Sequence, residues 1–130
     1  MAQKREENLQ KAVCRYLKLK YPNVMFVSDA GGVRLTKGQA ISMKEMRSHR
    51  GWPDLFIAEP RGIWNGLFIE LKREGERVYL KDGSLSNNAH IQEQDAVLTE
   101  LGFRGYKAVF AVGIDEAMKV IDDYLSRTKK

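Results

Sequence analysis

Two short apolar runs punctuated by glycine and proline constrain this chain more than any other feature. Gly51-Trp52-Pro53-Asp54-Leu55-Phe56-Ile57-Ala58 and Leu67-Phe68-Ile69-Glu70-Leu71-Lys72 flank a turn-rich stretch from Glu59 to Gly66. Runs of this length, rich in Leu, Ile and Phe and closed by turn residues, predict buried strands over 54–58 and 67–72 joined as a hairpin. Each strand carries an acid at the end away from the turn, so pairing the strands brings Asp54 and Glu70 together.

Hard-ion chemistry says what such a pair can do. Mg²⁺ takes oxygen ligands and is commonly held by one or two carboxylates plus substrate phosphate. Asp54 and Glu70 supply the carboxylates, and the backbone carbonyl of Leu71 is a further candidate ligand. Side chains alternate along a strand, so Glu70 and Lys72 share a face while Leu71 enters the core. Lys72 is thereby placed to orient an attacking water and to stabilise charge developing on a phosphate. The same residues also describe a plain hairpin with charged ends. Against that, Glu70 closes an apolar strand, where an unpaired carboxylate is costly to desolvate.

Charge distribution adds a partner. The net charge is +5, but residues 1–50 hold 11 Lys and Arg against 4 Asp and Glu, whereas residues 51–130 hold 11 against 13. Arg34, Lys37, Lys44, Arg47 and Arg50 form a cationic segment leading into Gly51-Trp52-Pro53-Asp54. Such a segment suits a phosphate backbone, or else is a solvated helix face. At 130 residues, 43% hydrophobic and 30% charged, the chain reads as one globular domain over 1–130. No apolar run approaches bilayer length and the first residues hold no signal-peptide core, so no membrane association and a cytoplasmic location are expected. One cysteine, Cys14, excludes an internal disulfide and a cysteine-based zinc site.

Periodicity predicts helices over 5–20, 37–48, 89–101 and 114–126, with Gly102 stopping the third. Strands are expected at 24–27 and 106–112, a turn at 28–32, and a long loop at 73–88 with a brief extension at 78–80. Helices around a central mixed sheet, in three layers, is the architecture this order favours. Helix phase then singles out two polar residues. Gln94 shares the buried stripe of Ile91, Leu98 and Leu101, and so either holds a water or site carboxylate or bonds to backbone; Gln92 points elsewhere. Glu6 falls beside the inward face of Leu9 and Val13, with Gln10 four residues on, whereas Glu7 aligns with Lys11, Cys14 and Lys18. Glu6 is the candidate third acid, although acids in a first turn also simply complement the helix dipole.

Other chemistries lack their residues. His49 and His90 have no His/Asn nuclease spacing and read as surface or cap residues, His90 within range of the site. Thr36-Lys37-Gly38 has the wrong order for a phosphate-binding loop, and Ser28 and Ser42 lack the His and acid of a hydrolase triad.

Asp54 after Gly51-x-Pro53, Glu70-x-Lys72 on the next strand, an acidic first helix and Gln94 on a later one together resemble the PD-(D/E)XK nuclease superfamily, specifically its VRR-NUC branch. The resemblance extends to Gly105-Tyr106-Lys107-Ala108-Val109 and Asp115-Glu116-Ala117. It implies a restriction-endonuclease-like α/β fold with a central mixed sheet flanked by helices. It also implies a Mg²⁺- or Mn²⁺-dependent endonuclease that cuts DNA by in-line hydrolysis. Asp54, Glu70 and the Leu71 carbonyl would be metal ligands, Lys72 would position water, and Gln94 and Glu6 would complete the site. Stand-alone members of the branch are often phage-encoded and are similar to homodimeric Holliday-junction resolvases, so branched DNA and a homodimer are expected. Flap or single-strand cleavage, a restriction-type nuclease and a non-catalytic DNA-binding protein on the same fold remain alternatives.

Overall fold

Alternation along the hairpin decides which layer each side chain enters. The structure is a computed structural model that describes residues 2–29 and 35–129. Its elements are α1 (Ala2–Lys20), β1 (Phe26–Ser28), α2 (Lys37–Glu45), β2 (Leu55–Ile57), β3 (Leu67–Lys72), α3 (Ala89–Phe103), β4 (Lys107–Val112) and α4 (Gly113–Leu125). The four strands form one mixed sheet in the order β1-β2-β3-β4. The β1/β2 and β2/β3 pairs are antiparallel and the β3/β4 pair is parallel.

Odd-numbered residues of β2 and β3 enter one face. Leu55, Ile57, Leu67, Ile69 and Leu71 are fully or almost fully buried with Val13 and Leu17 of α1 and Ala117, Ile121 and Tyr124 of α4. Tyr16 and Tyr21 donate hydrogen bonds to Asp122 (2.6–2.7 Å), tying the first helix and the turn after it to the last helix. The opposite face receives α3, whose Ile91 and Leu98 pack with Phe110 of β4 and with Val78. The expected α/β architecture, a mixed sheet with helices on both faces, is thus present.

Several boundaries differ from expectation for local reasons. The first strand begins at Phe26, not Val24. The second helix ends at Glu45, not residue 48; it buries none of its residues, and its Thr36–Gln39 capping box anchors the start. The third helix runs through Gly102 to Phe103, because the left-handed conformation that ends it falls on Gly105 (φ 96°) beyond the Arg104 cap. Residues 73–88 are more ordered than a plain loop. A small hairpin pairs Tyr79 with Leu85, with backbone bonds from Leu80 N to Ser84 O and from Ser86 N to Val78 O, both 2.8 Å. The expected turn at 28–32 falls largely outside the described residues, as does Arg34.

Candidate active site

Strand register brings the two acids together. Leu55 pairs with Ile69, so Asp54, one residue before β2, stands opposite Glu70. Asp54 Oδ2 accepts a hydrogen bond from the backbone N–H of Leu71 at 2.9 Å. The N–H and C=O of one strand residue point to the same side, so the Leu71 carbonyl projects toward Asp54 as well. The main chain of Asp54 is held in turn, its carbonyl accepting from Asp29 N at 2.7 Å and from Ser28 Oγ at 3.3 Å.

Glu70 and Lys72 face away from Leu71 as alternation requires, and they are buried, at 4% and 5% exposure. Gln94, 5% exposed, lies on the buried stripe of α3 and donates from Nε2 to Glu70 Oε2 at 2.9 Å. Its Nε2 is also 3.3 Å from His90 Nε2, so one amide nitrogen lies between a carboxylate and an imidazole. Lys72 Nζ is 3.9 Å from Glu70 Oε2 and 3.3 Å from Glu76 Oε2.

The pair is electrostatically unsatisfied. Burial pushes the Asp54 carboxyl up from 3.8 to about 6, against the lowering effects of a hydrogen bond with Glu70, the Leu71 N–H and Lys72. Burial and then the charge of Asp54 push Glu70 well above the usual carboxylate range, Lys72 opposing. Glu70 Oε1 and Gln94 Oε1 are buried without a hydrogen-bond partner. Among the described residues no three His, Cys, Asp or Glu side chains gather closely enough for an all-side-chain metal site. Two carboxylates, one with an unpaired oxygen, and an adjacent carbonyl nevertheless fit the oxygen set of Mg²⁺ or Mn²⁺, which keeps most of its shell for water and phosphate.

These groups open into a cleft of about 480 Å³ that is also lined by Glu6, Gln10, Arg47, Trp52, Glu76, Arg77 and His90. Glu6 reaches it and adds to the negative field on Glu70. Glu7 instead pairs with Lys11 at 3.2 Å. Gln10 spans from α1 to the end of β1, donating to Ser28 Oγ at 2.6 Å and to the Asp29 carbonyl. Of the cationic segment, Arg47 lines the cleft while paired with Asp29. Lys44, Arg47 and Arg50 line an adjoining pocket of about 610 Å³, and Lys37 stands exposed at the start of α2.

Three participants have little sequence signal. Glu76 reaches Lys72 only because the chain turns back through Gly75 at φ 91°. Gly51, at φ 81°, brings its Cα so close to α3 that a Cβ there would lie 3.0 Å from Gln94 N. Trp52 stacks on Phe68 (ring centroids 5.9 Å apart, 9° between planes), which stacks on Phe56 at 4.4 Å. Pro and Gly around Asp54 hint at such a rigid segment, but its packing against α3 depends on the tertiary fold.

The fold is similar to that of a solved structure described as a VRR_NUC domain protein. The TM-score is 0.68 at 25% sequence identity, over 95% of this chain and 90% of that one. No protein-family profile and no curated protein matches the sequence.

Proposed function

We propose, from a structural likeness that supports the VRR-NUC family and a nuclease of the PD-(D/E)XK type, that this protein is a metal-dependent endodeoxyribonuclease selective for branched DNA. The observation that carries this reading is the buried Asp54–Glu70 pair with Lys72 beside it at the floor of an open cleft. Burying two carboxylates and a lysine costs stability that a purely structural hairpin would not spend.

Asp54, Glu70 and the Leu71 carbonyl would hold Mg²⁺ or Mn²⁺. When bound, such an ion supplies Lewis acidity, drawing charge from the phosphate and easing the ionisation of water. Lys72 orients the attacking water and offsets charge building on the phosphate oxygens. Gln94 fixes the rotamer of Glu70 by donating to Oε2, and Glu6 supplies a third acid at the cleft wall. Lys37, Lys44, Arg47 and Arg50, with Arg34 on sequence grounds, grip the DNA backbone, contacts that set position without reading sequence. Junction selectivity and a homodimer with two such clefts are part of this proposal.

The test is cleavage of labelled four-way junction, flap, single-stranded and linear duplex DNA in Mg²⁺, Mn²⁺ or EDTA, with Asp54→Ala and Lys72→Ala alongside. Metal-dependent cutting lost in both variants is expected. Paired symmetric nicks at the junction support the resolvase reading, and a monomer mass with and without DNA counts against the dimer. No cutting in either metal, or equal cutting by Asp54→Ala, refutes the catalytic assignment and favours a DNA-binding role.

A further inference from the structure

Beside the cleft lies a second concavity, of about 760 Å³, between α3 and the segment 48–52. Its apolar wall is Trp52, Ala96, Val97 and Leu101, and its charged lining is Arg50 and Arg104 with Glu93 and Glu100. Trp52 lines both this groove and the catalytic cleft. We propose that the groove seats one unpaired nucleobase of the strand being cut, with Trp52 as its stacking surface. This rests on the nuclease reading and deepens it, by naming DNA with a nucleotide unpaired or extruded at a branch point next to the scissile phosphate as the substrate class.

Three features favour a nucleobase over other occupants. The first is rigidity. Trp52 is held by its stack on Phe68, with Tyr106 edge-on to Phe68 at 5.2 Å, and the preceding Gly51 is packed directly on the α3 backbone. A platform already fixed loses little entropy when a base stacks on it. The second is position. Trp52 lies two positions before Asp54, at most about 7 Å of extended chain, so a nucleotide whose phosphate lies at the acids has its base within reach of the ring.

The third is charge. Ser48, His49, Arg50 and Glu93 are shared between the groove and the adjoining pocket that Lys44 and Arg47 also line, so a track of three cations against one acid leads to the groove mouth. Arg104 is engaged by Glu100 at 2.8 Å, but among the described residues Arg50 and Lys44 have no acid within ion-pair distance. A strand following that track presents its bases to the apolar wall. A base inside a duplex has both faces covered by its neighbours, so only an unpaired or extruded base can use the ring.

The experiment is equilibrium binding in EDTA, where no cutting occurs, of oligonucleotides carrying 2-aminopurine either in a single-stranded flap or inside a duplex. Wild type is expected to change the fluorescence of the flap probe and to leave the duplex probe nearly unaltered. Trp52→Ala is expected to weaken flap binding by roughly 5- to 150-fold, the range for loss of one aromatic–base stack, with duplex binding changed less than roughly two-fold. Trp52→Phe should restore most of the difference. Ala96→Trp, on the exposed side of α3, fills the groove while leaving the aromatic stack intact and should reproduce the selective loss.

An unaltered flap probe on wild-type binding, or an equal loss of flap and duplex affinity in Ala96→Trp, overturns the proposal. So does a change in the solution mass of the DNA-free protein on Ala96→Trp, which would assign the groove to a second copy of the chain. Metal-dependent cutting with no stacking signal sinks this inference alone, whereas a stacking signal without cutting sinks only the nuclease reading.

Discussion

Replacing Asp54 by Asn should make the metal-free protein more stable while abolishing cleavage. Asp54 titrates at about 6 in the folded chain against an ordinary 3.8, because burial disfavours its charge. At about 1.4 kcal/mol per pH unit, keeping it ionised at neutral pH costs roughly 3 kcal/mol of folding free energy. Between about pH 4 and 6 the folded chain binds more protons at this group than the unfolded chain does. The contribution of Asp54 is therefore least unfavourable near pH 4, worsens as pH rises through 6, and stays unfavourable above. Asn keeps an oxygen for the Leu71 N–H and removes the charge.

In EDTA at pH 7.5, Asp54→Asn is expected to gain up to about 3 kcal/mol, on the order of 10 °C in Tm for a chain of this size. The gain should shrink toward zero near pH 4. Adding Mg²⁺ should stabilise the wild type, by about 2.7 kcal/mol at a hundred times its Kd, and leave the variant unmoved. Thermal unfolding followed by circular dichroism at pH 4.5, 6 and 7.5, with and without Mg²⁺, reads all three quantities. If Asp54→Asn is less stable than wild type at pH 7.5 in EDTA, the acids are not held under strain and the case for a cation between them loses its physical basis.

Two further outcomes bear on the walls of the site. Gly51→Ala puts a methyl 3.0–3.1 Å from backbone atoms of Glu93 and Gln94 at a left-handed φ of 81°; a loss of about 1–3 kcal/mol in urea unfolding is expected, with cleavage reduced because α3 carries Gln94. Glu6→Gln should lower Mn²⁺ affinity in a calorimetric titration, whereas Glu7→Gln, which disturbs only an i,i+4 pair with an exposed lysine, should leave it unchanged and shift stability by less than about 0.5 kcal/mol; the reverse order would move the third acid to Glu7.

What the sequence made legible is what short periods encode. Period two along 67–72 separates Leu71 from Glu70 and Lys72, and the structure buries Leu71 with Ile69 against α1 and α4 while Glu70 meets Gln94 of α3 and Lys72 lies beside Glu70 and Glu76. Period 3.6 along 89–101 sets Gln94 apart from Gln92, and Gln94 is the one that reaches Glu70. Features that depend on how elements meet were not legible. Gly102 looks like a helix stop, yet a glycine inside a helix costs only about 1 kcal/mol, and Gly105 supplies the left-handed residue one turn later. The Trp52–Phe68 stack joins a loop to a strand sixteen residues on, and no local pattern announces it.

Charge balance within the cleft ties these parts together. Its lining includes four acids, Glu6, Asp54, Glu70 and Glu76, against three cations, Arg47, Lys72 and Arg77. Two of those cations are already engaged, Arg47 by Asp29 and Lys72 by Glu70 and Glu76. A phosphodiester arriving at such a surface meets little free positive charge, because Arg47 and the lysine suited to stabilise it are held by carboxylates. A divalent cation on Asp54 and Glu70 would reverse the sign of the local field, satisfy the unpaired Glu70 Oε1, and weaken the hold of Glu70 on Lys72. With its cations engaged by its own acids, the cleft is poor at binding phosphate alone and suited to binding phosphate together with a cation. Cation loading and substrate entry would be coupled in this geometry, because a cation on Asp54 and Glu70 would free Lys72 for the phosphate.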